Sequence, residues 1–254
     1  MRAAGLVVGE TLELLRRTIR PGMTTLDLDR IAEDNIRACG ASPSFKGYHG
    51  FPGSICTSVN DEVVHGIPGD RVIADGDIVS IDCGAIVGGW HGDAAITVPV
   101  GRVRGEAHEL MRVTEEAMWR GFAAAAIGGR VTDISHAVES YVRSQGSYGI
   151  LEDYVGHGIG SAMHQPPNVP NYGRPGKGPK LVQGLALAVE PMVVLGDRAS
   201  RLLEDDWTVV TEDGSLAAHF EHTFTLTQRG AWILTALDGG EAKLAELGAA
   251  FAGT

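Results

Sequence analysis

Two aspartates interrupt a strongly apolar hairpin, and this feature restricts the fold more than any other part of the sequence. Apolar runs within 78–98 flank the pair Gly88-Gly89, a pattern that predicts a β-hairpin. A turn centred just before Gly88 places Asp82 directly opposite Asp93, with Cβ atoms about 5 Å apart. Like charges at that spacing destabilise a sheet unless one carboxylate is protonated or a cation lies between them. A polar turn and a capped strand end would explain single aspartates, but two in symmetric positions favour a metal site.

Composition limits the class of protein and its partners. The chain has 254 residues with no linker or low-complexity run, which predicts one domain over 1–254. A net charge of −11 argues against nucleic-acid binding. No apolar run approaches the roughly 18 residues of a membrane span. Three cysteines without CxxC spacing suit free thiols in a reducing cytoplasm.

Hydrophobic periodicity predicts helices separated by strands. The helices are expected at 4–19, from 24 or 25 to near 40, at 106–126 and at 132–146, with further strands at 54–59, 185–194 and 219–226. The second and fourth helices share a pattern in which Thr25 and Asp27 match Thr132 and Asp133. This match suggests two related halves, each helix–helix–strands, paired through one continuous sheet. Any two capped amphipathic helices could share such a pattern, which is the alternative.

Further acidic and histidine side chains stand in unusual surroundings. Glu190 lies inside the apolar run LALAVEPMVV, and Glu221 lies in a similar strand. Burying such a carboxylate without a partner is costly, so it should be paired, neutralised or bound to metal. A buried arginine is the alternative partner for Glu190, but the nearest basic residues fall in predicted loops. His157 and His164 flank a glycine turn, where isolated histidines are more often solvated than ligands.

The residues Asp82, Asp93, His157, Glu190 and Glu221 together have the chemistry of a metal site. Their four carboxylates balance the charge of two divalent cations, which favours a dinuclear centre with bridging carboxylates. Mainly oxygen ligands favour Mn, Fe or Co over a structural thiolate zinc site. Such a pair holds a bridging hydroxide at neutral pH and acts as a Lewis acid on a bound carbonyl. The residues therefore predict a two-metal hydrolase.

Several segments occur in the order and context of a known enzyme family. They are GYHGFPGSICTSVNDEVVHGIP, IDCGAIVGGWHGDAAITV, GHGIG with the histidine that follows, VEPMV, and DDWTVVTEDGSLAAHFEHTFTLT. With these segments the chain resembles the type I methionine aminopeptidases over nearly its whole length. The resemblance implies the α+β pita-bread fold, in which two pseudo-symmetric helix–helix–strand halves surround a central antiparallel sheet.

The resemblance also implies a role for each candidate ligand. Asp82 would bind one metal through both oxygens, and Asp93 and Glu221 would bridge the pair. His157 and Glu190 would complete the other metal. The implied cofactor is two divalent metal ions, with Co, Mn, Fe and Zn as the candidates.

Catalytic and substrate-binding residues follow from the same resemblance. His65 and His164 would meet the scissile amide nitrogen and the carbonyl oxygen, and Glu190 would double as the proton shuttle. The residues at positions that line the family's methionine pocket are Tyr48, His49, Phe51, Cys56, Met163 and Trp207.

Two positions depart from the family pattern. His219 stands where Gln is common, on the same strand face as Glu221, and Met163 stands where the family often has Phe. These departures bear on the shape of the pocket and leave the five ligand positions intact. The short connection between Glu190 and Glu221 has no room for the helical insert that marks the type II enzymes.

The implied activity is removal of the N-terminal methionine from new proteins when the second residue is small. The expected enzyme is a cytoplasmic monomer that acts on nascent chains in contact with the ribosome and binds neither nucleic acid nor membrane. One alternative is an Xaa-Pro aminopeptidase or dipeptidase of the same fold, although those relatives usually carry a further N-terminal domain. Another is a non-catalytic pita-bread scaffold that binds protein or RNA, although such relatives have typically lost ligands and gained basic surface.

Overall fold

The predicted helices are present with slightly shifted ends in the computed structural model, which describes residues 1–253. They are α1 (Arg2–Thr18), α2 (Thr25–Ala38), α3 (Gly105–Ala124) and α4 (Val131–Gln145), followed by a short α5 (Glu241–Glu246). A 3₁₀ turn lies at Tyr48–Gly50. Within the described residues, no helix has the length and apolar character needed to cross a bilayer.

The two helices with similar sequences begin with the same hydrogen bond. Asp27 accepts from the backbone N–H of Thr24 at 2.8 Å, and Asp133 accepts from the backbone N–H of Arg130 at 2.7 Å. Each carboxylate therefore satisfies a backbone donor at the residue that precedes its helix. Its negative charge also interacts favourably with the positive end of the helix dipole. The aligned aspartates have the same structural role in the two halves.

The strands are short, apart from those of the central hairpin. They are β1 (Ser42–Pro43), β2 (Ile55–Val59), β3 (Glu62–Val64), β4 (Ile78–Val87), β5 (Trp90–Pro99), β6 (Gly149–Ile150), β7 (Gly156–Gly158), β8 (Gln165–Val169), β9 (Ala186–Val189), β10 (Met192–Val194), β11 (Ser200–Leu202), β12 (Val209–Thr211), β13 (Ala217–His219), β14 (Glu221–Thr227) and β15 (Gly230–Ile233).

One antiparallel sheet connects the two halves of the chain. Its nine strands run in the order β1-β4-β5-β14-β9-β7-β8, with β2 also paired to β4 and β15 to β14. The halves meet where β14 pairs with β5, at Glu221 opposite Ala95. A core cluster with residues from both halves, such as Leu15 of α1 and Leu110 of α3, is buried against this sheet. The continuous sheet expected from the repeated helix pattern is present.

The central hairpin differs from the predicted register by two residues. Gly88 and Gly89 have φ values of 57° and 81° and form the two-residue turn by themselves, because positive φ at both positions matches the twist of a tight hairpin. Asp82 consequently pairs with Ala95, and Asp93 pairs with Gly84. The prediction that the aspartates are direct cross-strand partners is wrong. A shift of two residues keeps both on one face of the sheet, where they are diagonal neighbours.

Two predicted strands are each divided. The strand expected over 185–194 is interrupted at Glu190 and Pro191, since proline has no N–H to donate to a ladder. The strand expected over 219–226 is interrupted at Phe220. On one side of the interruptions, β9 and β14 pair in the large sheet, and on the other, β10 and β13 pair in a smaller sheet with β6. The chain therefore passes from one sheet to the other at Glu190 and just before Glu221, which are two of the predicted metal ligands.

Candidate metal centre and adjoining cavity

Each predicted ligand comes from a different strand or strand end of the large sheet. In spatial order these are β4 with Asp82, β5 with Asp93, β14 with Glu221, the end of β9 with Glu190, and β7 with His157. Because the strands are consecutive neighbours, side chains distant in sequence converge on one side of the sheet. The structure brings all five predicted ligands into one cluster.

His157 lies in β7, which is paired on both sides in the large sheet, and the glycine-containing segment that follows β7 leads to His164. The glycines beside His157 allow close contact with neighbouring strands: a Cβ at Gly156 would lie 2.3 Å from the carbonyl oxygen of Ala188. Nδ1 of His157 lies 3.0 Å from the carbonyl oxygen of Gly158, to which it can donate its proton. This contact leaves the Nε2 lone pair directed at the carboxylates, as in a metal-binding imidazole.

Distances within the cluster are those of ligands around a shared ion. Nε2 of His157 lies 3.5 Å from Oε1 of Glu190, and 3.9 Å from both Oδ2 of Asp93 and Oε1 of Glu221. Candidate ligand atoms of Asp93, His157 and Glu221 all lie within 4.8 Å of one another. The contacts of 3.9 Å are too long for hydrogen bonds, so the polar atoms face a common point without satisfying each other.

Electrostatics show the cost of holding these carboxylates together without a cation. Burial raises the pKa of Asp82 and of Glu190 to about 7, and raises the pKa of Asp93 and Glu221 well above the ordinary values. Charge repulsion from the other carboxylates adds to the rise for Asp93 and Glu221. In residues 1–253, buried oxygens of Asp82, Asp93 and Glu221 have no hydrogen-bond partner. This donor set fits divalent cations, which would replace the missing partners and neutralise the charge.

Glu190 has histidines and carboxylates as its charged neighbours. Within the part of the chain that the structure describes, its ion-pair contacts within 4.0 Å are with His157 and His219. The alternative of a buried arginine partner is therefore not supported. Sequence reasoning did not include His219 among the site residues, and the structure places it in a second group of candidate ligands with Glu190 and Glu221. Its position on the same strand face as Glu221 was the available signal.

A cavity of about 280 Å³ opens directly onto the carboxylates. Its apolar wall includes the cluster of Phe45, Phe51, Cys56 and Met163, against which Tyr48 and Trp207 pack. Phe51 and Trp207 meet edge to face with ring centroids 5.0 Å apart. Among the described residues, the lining contains neither lysine nor arginine. The cavity thus joins an acidic floor to an apolar, aromatic wall.

Two histidines lie beside the cluster. Nδ1 of His164 is 2.9 Å from the hydroxyl of Tyr48, and its ring centroid is 4.3 Å from that of His157. His65 has a left-handed φ of 61° and faces Tyr154 and Trp207 edge-on. Burial, and to a lesser extent the charge of His219, lower the pKa of His65 to about 4, so this imidazole is neutral at pH 7.

The cavity lining differs in part from the predicted pocket. Of the predicted pocket residues, His49 is exposed and does not line the cavity, whereas the other five do. Lining residues that sequence reasoning did not include are Phe45, Val64, Asp153, Tyr154, Val155 and Met192. Three of these, 153–155, directly precede the motif that contains His157, and this proximity in sequence was the signal for them.

The chain is similar to known metallopeptidases over almost all its length. Metallopeptidase family M24 matches residues 1–228. A methionine aminopeptidase of Clostridium acetobutylicum is 57% identical over 236 residues, covering 92% of this chain and 94% of that protein. The crystal structure of the Thermotoga maritima methionine aminopeptidase has a TM-score of 0.91 and 44% identity, covering 93% of this chain and 95% of that one. A Pyrococcus furiosus prolidase structure, with a TM-score of 0.73 at 21% identity, covers 92% of this chain and 62% of its own, and it shares the fold. The expected pita-bread fold is confirmed.

Proposed function

This chain belongs to metallopeptidase family M24 and, within it, to the methionine aminopeptidases, and from that premise we propose that it removes the N-terminal methionine from new proteins when the second residue is small. The observation that carries this proposal is the junction between the acidic cluster and the apolar cavity. Asp93 and Glu221 are buried at the floor, and Phe51 and Met163 form part of the wall. A methionine side chain in the cavity would present its peptide carbonyl to the carboxylate cluster.

The same cluster supports a dinuclear centre of divalent ions, with Co, Mn, Fe and Zn as candidates. We assign Asp82 to one ion, His157 and Glu190 to the other, and Asp93 and Glu221 to both. When bound, such a pair supplies a water-derived nucleophile at neutral pH and polarises the scissile carbonyl. The unsatisfied buried oxygens of Asp82, Asp93 and Glu221 support this assignment.

Glu190 and His164 have the properties needed to handle protons and charge. The pKa of Glu190, raised to about 7 by burial, lets its carboxyl accept and return a proton near neutral pH. When the Tyr48 hydroxyl donates to Nδ1 of His164, the ring proton is on Nε2. That N–H can donate to the substrate oxygen as negative charge develops there. We assign the neutral His65 to the amide nitrogen on the leaving side.

Other features support the remaining parts of the proposal. The core continuous between the halves supports a single catalytic domain over 1–254. Cys39, Cys56 and Cys83 are free thiols, which suits an enzyme that meets nascent chains in the cytoplasm. A monomeric state and contact with the ribosome stay predictions.

An assay of the metal-stripped chain tests the proposal directly. The protein would be given Co, Mn, Fe or Zn and incubated with Met-Ala-Ser or with matched Xaa-Pro peptides. We expect metal-dependent release of methionine from Met-Ala-Ser and little cleavage of Xaa-Pro substrates. Preference for Xaa-Pro would indicate the alternative peptidase, and no hydrolysis with any metal would indicate a non-catalytic scaffold.

A further inference from the structure

His65 has a backbone conformation that is rare for a residue with a side chain. Its φ of 61° lies in the left-handed region, directly after β3 ends at Val64. A non-glycine residue in this region costs free energy and persists only where the surrounding structure holds it there. His65 also lines the cavity, and the proposed function assigns it to the leaving amide nitrogen. The strain therefore occurs at a residue whose side chain has a chemical role.

Two hydrogen bonds with β2 hold the turn that follows His65. The backbone N–H of Thr57 donates to the Gly66 carbonyl at 2.8 Å, and the N–H of Gly66 donates to Oγ of Ser58 at 3.1 Å. Thr57, Ser58 and Gly66 are all buried. Because a buried N–H needs a partner, the Ser58 hydroxyl stabilises the turn at the peptide that joins His65 to Gly66.

Gly66 allows this contact because it has no side chain. A Cβ at this position would lie 2.2 Å from the carbonyl oxygen of Thr57, which is far inside contact distance. The turn consequently lies directly against β2, where the Ser58 hydroxyl can reach its N–H. The position of His65 is thus fixed relative to β2 and to the sheet that β2 joins.

The His65 ring is packed between aromatic side chains. Its centroid lies 5.7 Å from that of Tyr154 and 6.4 Å from that of Trp207, and both pairs are edge to face. Within residues 1–253, no hydrogen bond to a ring nitrogen of His65 is present, whereas Nδ1 of His157 and of His164 is engaged. The place of the His65 ring in the site therefore depends on its backbone and on packing.

We propose that Ser58 is a positioning residue for the reaction, whose hydroxyl fixes the turn at Gly66 and so holds the His65 imidazole on the leaving side of the scissile bond. This inference rests on the proposed function and on the role given there to His65. Ser58 is only 2% exposed and does not line the cavity, so it acts through His65 and not on the substrate. A misplacement of about 1 Å can slow a reaction roughly 10²-fold.

A double-mutant cycle on the metal-loaded full chain tests the link between the two residues. Ser58→Ala should lower kcat about tenfold with little change in KM, because the displaced imidazole is needed chiefly in the transition state. His65→Ala should lower kcat about 10²-fold or more. In the His65→Ala background, Ser58→Ala should change kcat by less than about twofold, since the ring that Ser58 positions is gone.

Matched variants separate this role from a general effect on folding. Ser58→Thr keeps a hydroxyl acceptor and should retain most of kcat. Ser135→Ala removes a buried hydroxyl of α4 that has no hydrogen-bond partner among the described residues, and it should leave kcat unchanged. Metal analysis should give the same content for every variant. If melting curves show that Ser58→Ala does not fold, Ser58→Cys replaces it in the cycle, because the thiol has a similar size and is a weak acceptor.

Hydrogen exchange of the unmutated chain checks the contact without any variant. The Gly66 amide should exchange slowly, since it is buried and bonded to Ser58. Exchange as fast as that of exposed loop amides would overturn the proposal.

The kinetic outcomes distinguish this inference from the proposed function. An active enzyme in which Ser58→Ala causes the same fold loss of kcat with and without His65 would show that Ser58 only stabilises the fold, and the proposed function would stand. Full activity of His65→Ala would overturn the role of His65 and this inference with it. Absence of methionine release by the unmutated chain would instead overturn the proposed function.

Discussion

The hydroxyl of Tyr48 lies 2.9 Å from Nδ1 of His164, and this contact decides which nitrogen of the ring is available to a substrate. A similar contact orients His157, whose Nδ1 lies 3.0 Å from the Gly158 carbonyl oxygen. In both rings Nδ1 is engaged by the protein, which leaves Nε2 as the nitrogen available to a ligand. The chemistry of each histidine therefore depends on the group that contacts its Nδ1 atom as well as on the residue itself.

Loss of the His164 ring should slow catalysis and leave the metals in place. We expect His164→Ala to lower kcat by about 10²–10³-fold, since it removes a donor to the developing oxyanion. Tyr48→Phe should give a smaller loss, because it removes only the group that sets the tautomer. Steady-state kinetics together with metal analysis would check both variants. Loss of metal in parallel with activity would mean that His164 is a ligand.

Removing one charge at Asp82 should affect metal content as well as turnover. Asp82→Asn keeps the shape of the side chain but cannot supply two carboxylate oxygens, so we expect the variant to bind one fewer metal ion and to lose activity. Asp153→Asn makes the same chemical change at an exposed position of the cavity lining and should retain both ions. Full metal occupancy with normal turnover in Asp82→Asn would contradict the dinuclear assignment.

At the scale of elements, α2 holds the loop that carries part of the cavity wall. Glu33 of α2 accepts from Lys46 at 2.5 Å and from Ser54 at 3.1 Å, on either side of the segment that contains Tyr48 and Phe51. Asp29, one turn earlier, accepts from the backbone N–H groups of 54 and 55. Two carboxylates on one helix face thus position the aromatic residues of the pocket.

The stabilising effect of Glu33 should depend on pH. Its hydrogen bond with Lys46, aided by Arg37 and Ser54, lowers its pKa from 4.5 to about 2. A carboxyl whose pKa is lower in the folded state stabilises the fold above its unfolded pKa, and this stabilisation is lost as pH falls through about 2. Glu33→Gln should therefore lower Tm by about 2–4 °C at pH 7, corresponding to about 1 kcal/mol for a partly exposed pair.

Thermal melts of Glu33→Gln at pH 7, 5, 4 and 3 would follow this effect. The difference in Tm between the variant and the unmutated chain should become smaller as the pH falls. Glu13→Gln is the matched control, because Glu13 pairs only with Arg16 and Arg17 on its own helix among the described residues. A difference in Tm that stays constant down to pH 3 would contradict the assigned pKa.

At the scale of the whole molecule, the site exists only where the two halves meet. Asp82 and Asp93 come from the first half, whereas His157, Glu190 and Glu221 come from the second, and the pairing of β5 with β14 brings them together. Metal binding should therefore stabilise the assembled sheet, because the unfolded chain lacks the site. The cavity lies over this junction, so substrate selection also depends on both halves.

Selection at the first residue of the substrate should follow from the apolar wall. The thioether of methionine gains about 0.3–1.5 kcal/mol from sulfur–aromatic contacts beyond plain burial. Norleucine keeps the shape without the sulfur and should stay within roughly tenfold of methionine in kcat/KM. Lysine or glutamate would bury an unpaired charge and should be cleaved poorly. Met163 is more flexible than the Phe common in the family, so we expect slightly broader tolerance.

A set of Xaa-Ala-Ser peptides that differ only at Xaa measures this selectivity. Met163→Phe would test whether a more rigid wall narrows the tolerance, with the metal content as the control for an intact site. Comparable kcat/KM values for lysine, glutamate and methionine would show that the cavity does not select methionine.

The sequence by itself determined the local features of this protein. The periodicity of apolar residues located the long helices, and Asp27 and Asp133 marked helix starts because capping depends on residues only three positions apart. Carboxylates in apolar strands identified Asp82, Asp93, Glu190 and Glu221 as candidate ligands, since burial of charge has the same cost in any fold. The family resemblance added roles that spacing could not supply.

Only the tertiary structure decided which residues meet. The hairpin register depended on whether both glycines form the turn, and the division of two strands depended on Pro191 and on pairing with a second sheet. The position of His219 beside Glu190 could not be read from the sequence, because Glu190 lies between β9 and β10 and His219 ends β13. Long-range pairing brings such side chains within a few ångströms of each other, and distance along a chain does not encode that proximity.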